Sequence, residues 1–153
     1  MTEAATQLVE ERRLEITREI DAPREEVFDC FINRERLMHW HCPVGMTVSA
    51  CEVDAKVGGA YRIVMTNAEG QNHTVCGTYR EISAPSRIVE SWAWEQEDGS
   101  LGHESLVTLT FIDIGGKTKI HLVHENHLDT DAAEKHGQGW SSSFDNLVSY
   151  LTS

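Results

Sequence analysis

The sequence predicts an α+β domain in which one long C-terminal helix covers one face of an antiparallel β-sheet. Three observations support this prediction. A short helical region follows the first strand-like segment, strand-like segments joined by short turns fill the middle of the chain, and a strongly helical pattern closes it. Because a sheet with one apolar face must bury that face, the last helix has to cover it. Such an arrangement tends to enclose a pocket, where a function would lie.

The first elements are a strand and two short helices. Leu14 to Ile20 alternates apolar and polar residues, as a half-buried strand does. A helix begins near Pro23, because proline is tolerated in the first helical turn. Asn33 is placed to cap a second short helix through its side-chain oxygen. Residues 1–12 are polar and acidic, which favours a flexible tail.

Further strands form the middle of the predicted domain. Turns that contain glycine or proline separate them. Gly115-Gly116 supplies the positive φ that a tight hairpin requires. The strands are predicted over residues 48–53, 61–65, 73–82, 87–95, 104–114 and 117–127.

The last helix is predicted to begin near Thr130-Asp131. Asp131 and Glu134 have the spacing of a capping box. Beyond them, apolar residues recur at the spacing of one helix face, which is the face expected to meet the sheet. These residues are Trp140, Phe144, Leu147, Val148 and Leu151.

Length and charge limit the possible functions. A chain of 153 residues suits one domain, predicted over 13–153. The net charge of −12 leaves no basic stripe for nucleic acid. No apolar run is long enough for a membrane span, and no signal peptide is visible. The expectation is a cytoplasmic protein, monomeric or homodimeric, whose four cysteines stay reduced.

Several short motifs occur in a particular order along the chain. Their order and spacing resemble the START-like, or SRPBCC, superfamily, and within it the branch related to the activator of the heat-shock protein 90 ATPase. The resemblance covers about residues 12–152. The motifs are Ile20-Asp21-Ala22-Pro23 with Val27-Phe28, Trp40, Val57-Gly58-Gly59 with Tyr61-Arg62, Pro85 with Arg87-Ile88-Val89, Trp92, and Gly139-Trp140.

This resemblance implies a helix-grip, or Bet v-like, fold. In that fold a curved, seven-stranded antiparallel sheet wraps around the C-terminal helix, in the order β-α-α-β6-α. The resemblance also implies a cavity between helix and sheet that often binds apolar molecules, and it raises a chaperone as a possible partner.

The residues predicted to line the cavity are mostly large or aromatic, since such rings suit a pocket wall. Gly139 beside Trp140 would let the helix approach the sheet closely or leave room for a ligand. The alternative for each aromatic residue is a place in the core. The predicted lining is Trp40, Tyr61, Met65, Glu90, Trp92, His124, Trp140 and Phe144.

Glu90 is the candidate for chemistry. It shares a strand face with Trp92 and Trp94, where an unpaired carboxylate would be costly to bury. It could pair with an arginine such as Arg62, grip a ligand, or act as a weak candidate catalytic acid or base. The alternative is an ordinary exposed glutamate.

The histidines suggest a metal site, but the geometry of a strand argues against one. In a strand, His124 points away from His121 and His127, so the three could not share one ion. His39, His41 and Cys42 are close in sequence, but side chains at a helix end converge poorly. The prediction is therefore no metal and no cofactor.

Three functions remain open. The first is binding of a small, largely hydrophobic molecule in the cavity. The second is an enzyme of cyclase, dehydratase or hydrolase type that acts on a cavity-bound substrate. The third is a chaperone-cofactor-like role in the stress response.

The chain has no P-loop, dinucleotide-binding glycine motif, Gly-x-Ser-x-Gly elbow or His-Glu-x-x-His motif, which argues against nucleotide chemistry, hydride transfer and ordinary hydrolysis.

Overall fold

The computed structural model describes residues 5–10 and 12–152, and for residues 5–10 it describes the backbone alone. The helices are α1 (Arg24–Ile32), α2 (Arg34–Trp40) and α3 (Thr130–Thr152). The strands are β1 (Ala5–Glu10), β2 (Arg13–Ile20), β3 (Thr47–Val53), β4 (Ala60–Thr66), β5 (Asn72–Ser83), β6 (Arg87–Trp94), β7 (Ser105–Asp113) and β8 (Thr118–Glu125).

The strands form one antiparallel, 8-stranded sheet in the order β1-β2-β8-β7-β6-β5-β4-β3. Strands β2 to β8 are the predicted ones, with bounds that agree to within about two residues. The register shifts once in β3, between Val48 and Ala50, and once in β5, between Tyr79 and Glu81. Such bulges bend a strand, which suits a sheet that curves around a helix. The predicted α+β architecture is confirmed.

Residues 5–10 differ from the sequence-based expectation of a flexible tail. They form β1, which pairs with β2 from Ala5 opposite Arg18 to Glu10 opposite Arg13. Main-chain hydrogen bonds to an otherwise open edge can hold such a strand without a strong side-chain pattern. The sheet therefore begins before residue 13, where the sequence places the start of the domain.

The core lies between the sheet and the helices. Buried residues alternate with partly exposed ones along β2, β7 and β8, as the two-residue period of a strand requires. Phe111 of β7 packs on Phe28 and Phe31 of α1, with ring centroids 5.2 and 5.1 Å apart. Phe144 and Leu147 of α3 are fully buried, which confirms the predicted apolar stripe.

The starts of the two short helices differ: the side chain of Asn33 caps α2 as predicted, whereas α1 has no side-chain cap hydrogen bond. Pro23 is the N-cap residue of α1, and Asn33 is that of α2. The Asn33 side-chain oxygen accepts the main-chain N–H groups of Glu35 (3.0 Å) and Arg36 (3.4 Å). Two donors that the helix leaves unpaired are satisfied in this way.

The start of α3 differs from the predicted capping box. Asp131 lies inside the helix, and Asp129 takes the capping position: its side chain accepts the N–H of Ala132 at 2.8 Å. Asp131 pairs with Lys135 at 3.1 Å instead. In the described part of the chain no helix, α3 included, has the length and apolar character needed to cross a membrane.

Candidate functional site

A cavity lies between the first half of α3 and the part of the sheet formed by β4, β5 and β6. Its volume is about 600 Å³. We call it the tryptophan cavity, because Trp92 and Trp94 form much of its wall. The other lining residues are Pro43, Met46, Met65, His73, Gln96, Gly102, His103, Ser105, His127, Leu128, Ala132, Lys135, His136 and Gly139.

A smaller space of about 50 Å³ adjoins the tryptophan cavity. Both spaces are bordered by Pro43, Met65, Trp92, Trp94, His136 and Gly139. His41, Trp140 and Ser143 complete the wall of the smaller one. We call it the inner recess, since Trp140 and His41 belong to the buried part of the molecule.

The wall of aromatic rings follows from the strand period. Trp92 and Trp94 are two residues apart in β6, so both point to the face that α3 covers. The Trp92 ring packs on Trp140 of α3 and edge-on against Trp94, with centroids 5.0 and 5.7 Å apart. This packing holds the wall in place without a ligand.

Gly139 provides space on the helix side. It lies on the face of α3 that borders both spaces, and a Cβ atom built there would meet nothing within 4 Å. Of the two roles expected for this glycine, the structure therefore favours room in the cavity over close approach of helix and sheet.

The predicted lining residues divide into two groups. Met65, Trp92 and Trp140 border the described spaces, and His124 lies directly behind Trp140. The other four, which the sequence also places in the lining, border neither space and are buried. These are Trp40, Tyr61, Glu90 and Phe144.

Trp40 shows why the face of an element does not give the depth of a residue. Its side chain is 0% exposed, and its indole N–H donates to the main-chain oxygen of Cys30 at 2.9 Å. The ring is thus packed and fully hydrogen-bonded between α1 and α2. It has no surface left for a ligand.

Glu90 lies two residues before Trp92 in β6 and is 7% exposed. Its cross-strand neighbour is Tyr79. Burial raises the pKa of Glu90 to about 7, although the Tyr61 hydroxyl acts in the opposite direction. Arg62 is not its partner, because that side chain lies on the other face of β4 and forms two hydrogen bonds with Glu95, at 3.1 and 2.9 Å.

Three histidine rings meet at the edge of the tryptophan cavity. The ring centroids of His124, His127 and His136 lie 4.1, 4.6 and 4.9 Å apart. We call this group the histidine cluster. His121 points away from it and bonds Glu15, as strand alternation predicts.

The prediction that His124 and His127 point to opposite sides is wrong. His127 lies beyond the end of β8, and Asn126 before it has φ of 64°. This left-handed residue turns the chain, so the strand period no longer applies to His127. His136 was not among the predicted site residues, although it lies four residues before Trp140, on the same face of α3.

Hydrogen bonds decide what the histidine cluster can bind. A nitrogen of each ring lies within 4.8 Å of nitrogens of the other two, a spacing that invites a metal ion. However, the indole N–H of Trp140 donates to His124 Nδ1 (3.1 Å), and that of Trp94 donates to His136 Nε2 (2.8 Å). These two lone pairs are already used, so the rings do not offer a metal three ligands in this arrangement.

The other three candidate metal ligands, which are close in sequence, do not share one site. His39 is exposed and stacks on Tyr150, whereas His41 is buried at the inner recess. The Cys42 thiol donates to the main-chain oxygen of Met46 at 3.3 Å. The three side chains therefore lie in different environments.

Burial favours the neutral form of four histidines at the site, namely His41, His124, His127 and His136. Burial lowers the pKa of His41 and of His136 to about 4. It also lowers the pKa of His127 and, more strongly, that of His124. The cavity wall is therefore uncharged where these rings form it.

A family model and a curated relative match this chain. The family model is described as Activator of Hsp90 ATPase homolog 1-like protein and matches residues 21–152. The relative, from Dictyostelium discoideum, is named Activator of 90 kDa heat shock protein ATPase homolog and is 28% identical over 131 residues. The alignment covers 84% of this chain but 30% of that protein, so the chain spans about a third of its length.

Solved structures share the fold over nearly the full chain. A crystal structure of an AHSA1 protein from Silicibacter pomeroyi superposes with a TM-score of 0.85 at 28% identity, covering 92% of this chain and 97% of that one. A crystal structure of a Chromobacterium violaceum protein gives 0.82 at 27% identity, covering 91% and 96%.

Proposed function

Since this chain belongs to the Activator of Hsp90 ATPase homolog 1-like family, whose model matches residues 21–152, we propose that it binds a small, largely hydrophobic molecule in the tryptophan cavity. The observation that carries the proposal is the cavity itself. Its volume of about 600 Å³ lies within the range of sites that enclose small molecules.

The chemistry of the wall supports a hydrophobic ligand. Aromatic and thioether side chains supply much of it, namely Trp92, Trp94, Met46 and Met65. Burial of apolar surface contributes about 25 cal/mol per Å², so contact with this wall provides affinity without a charged partner. Among the described lining residues only Lys135 carries a formal charge, and it is exposed and paired with Asp131.

Neither alternative has a comparable feature in its favour. An acid–base enzyme built on Glu90 would need that carboxyl at the cavity, whereas Glu90 lies in the core. A chaperone function is suggested by the names of the family model and of a relative of which this chain spans 30%, and by no contact described here. The ligand-binding proposal is the one that specific contacts support.

Native mass spectrometry of freshly purified protein tests the proposal directly. We expect a discrete adduct that disappears on denaturation, and solvent extraction would then give its chemical class. A protein without adduct that also fails to bind any of a set of uncharged alkylbenzenes by calorimetry would contradict the proposal.

Gly139→Leu locates the binding site. The leucine side chain would occupy space that is open in the structure, so we expect the variant to lose the adduct. It should still fold, because leucine is more favourable than glycine in a helix by about 0.8 kcal/mol.

The matched control is Gln138→Leu, which places the same side chain on the neighbouring, exposed position of α3. This variant should keep the adduct. Equal binding by both variants would place the ligand outside the tryptophan cavity.

A further inference from the structure

The histidine cluster contains two buried ring nitrogens that no described protein atom pairs. They are His127 Nε2 and His136 Nδ1, and Trp92 Nε1 beside them is also unpaired. All three residues border the tryptophan cavity, and His127 is only 1% exposed. Buried polar atoms of this kind are costly unless something binds them.

The hydrogen bonds at the far side of His136 fix where its proton lies. Trp94 Nε1 can only donate, and it donates to His136 Nε2 at 2.8 Å. A neutral imidazole has one N–H, so the proton of His136 must be on Nδ1. The unpaired atom of His136 is therefore a donor.

His127 is fixed in the opposite sense. Its Nδ1 lies 2.9 Å from the main-chain oxygen of Arg12, which can only accept. The proton of His127 is therefore on Nδ1, and Nε2 carries a free lone pair. The unpaired atom of His127 is an acceptor.

His124 takes no part in this pair, because both its nitrogens have partners. It accepts from Trp140 at Nδ1, so its Nε2–H donates to the Ser105 hydroxyl at 2.7 Å. Ser105 in turn donates to the main-chain oxygen of Trp92 at 3.2 Å. His124 is thus fully hydrogen-bonded and packs against the other two rings.

We propose that His127 and His136 together bind the hydroxyl group of an uncharged ligand, a phenol or an alcohol, whose apolar body fills the tryptophan cavity. The hydroxyl would accept from His136 Nδ1–H and donate to His127 Nε2, which uses both of its functions. This inference rests on the proposed function, since it names the class of the ligand.

The separation of the two rings suits one bridging oxygen. Their centroids are 4.9 Å apart, and their nearest nitrogens lie within 4.8 Å. An oxygen that lies about 2.8 Å from each of two nitrogens can bridge them when the nitrogens are up to roughly 5.6 Å apart. The spacing of the two rings is therefore compatible with one bridging hydroxyl.

Charged head groups fit this site poorly. A carboxylate can only accept, so it would face the lone pair of His127, and Lys135 is the only cation among the described lining residues. An ammonium group would find no described carboxylate in the wall. Lys135 forms an ion pair with Asp131 at 3.1 Å.

Three probes of nearly equal shape test the inference by calorimetry on the full chain. They are 4-pentylphenol, its methyl ether and pentylbenzene. Leaving a buried donor or acceptor unpaired costs enough that we expect the phenol to bind at least about tenfold more tightly than the other two. Equal affinities would overturn the inference while leaving the proposed function intact, whereas no binding of any probe would overturn both.

Variants assign the preference to the two rings. His127→Phe and His136→Phe keep a flat ring but remove the acceptor or the donor, so each should lose the preference for the phenol and still bind pentylbenzene. Retained pentylbenzene binding shows that the variant is folded. His39→Phe is the matched control on an exposed ring, and it should bind all three probes like the parent.

Two results would count against the assignment. One is an unchanged preference in both cluster variants. The other is tight binding of Zn²⁺ alone to the parent that both variants lose, which would make the rings metal ligands instead of a hydroxyl site.

Discussion

Glu90 places an ionisable group among tyrosines in the core. Tyr61 and Tyr79 are each 3% exposed, and burial is the main reason why the pKa of both hydroxyls is raised. The Glu90 carboxyl raises them further. The Tyr61 hydroxyl donates to the main-chain oxygen of Ser91, which joins β4 to β6 across β5. Burial in this group favours a neutral Glu90, and the opposing effect of the Tyr61 hydroxyl is the smaller one.

Glu90 makes stability depend on pH in a defined direction. Its pKa is raised from 4.5 to about 7 on folding. The unfolded chain therefore releases this proton first, and the contribution of Glu90 to stability falls as pH rises from about 4.5 to about 7. We expect Glu90→Gln to be more stable than the parent at pH 8, by an amount on the order of 3 kcal/mol, and to differ little at pH 4.5.

Urea unfolding at both pH values measures this difference. Glu95→Gln is a control of opposite sign, because the hydrogen bond with Arg62 lowers the pKa of Glu95. That contribution is present above the unfolded pKa and is lost as pH falls, so Glu95→Gln should cost stability at pH 8. A Glu90→Gln variant less stable than the parent at pH 8 would contradict the assignment of a buried, largely neutral carboxyl.

The helix α3 divides into two halves with different surroundings. From Trp140 onward its inner residues belong to the core, including Phe144 and Leu147. Before Trp140 it borders the tryptophan cavity through Ala132, His136 and Gly139. The first half therefore depends on its cap more than the second half does, because it has less packing to hold it.

Comparison of Asp129→Ala with Asp131→Ala tests the cap of α3. Asp129 accepts the N–H of Ala132, and loss of such a cap typically costs about 1 kcal/mol. Asp131 forms an exposed pair with Lys135, worth about 0.3–0.5 kcal/mol. Urea unfolding should show the larger loss for Asp129→Ala; the reverse order would support the capping box that the sequence suggests.

The elements with a clear side-chain pattern are the ones that the sequence predicts. Alternation and turn residues locate β2 to β8, and the spacing of Trp140, Phe144 and Leu147 locates α3. β1 is held by main-chain pairing with β2, and a polar segment gives little indication of that.

The site is predicted less completely than the fold. The alternation along β6 identifies the face on which Trp92 and Glu90 lie, but it does not show that Glu90 is buried in the core. The histidine cluster joins β8, the residue after Asn126 and α3. This contact depends on one residue in the left-handed conformation, Asn126, and the alternation of apolar and polar residues along the sequence does not predict such a residue.

Occupancy of the cavity should stabilise the whole domain. A ligand that binds only the folded state adds about 2.7 kcal/mol at a concentration of 100 times its Kd. For a domain of this size that corresponds to a rise in Tm of roughly 5–10 °C. Differential scanning calorimetry with 4-pentylphenol should show this rise in the parent and none in Gly139→Leu; equal shifts in both would indicate binding elsewhere.

The distribution of the four tryptophans has an optical consequence. Trp92, Trp94 and Trp140 border the two spaces, whereas Trp40 is sealed in the core. Indole emission depends on the polarity around the ring, so a ligand that displaces water from the wall changes the emission of the first three and leaves the fourth constant. The protein thus carries an intrinsic fluorescent reporter of its own cavity, and a titration needs no added dye.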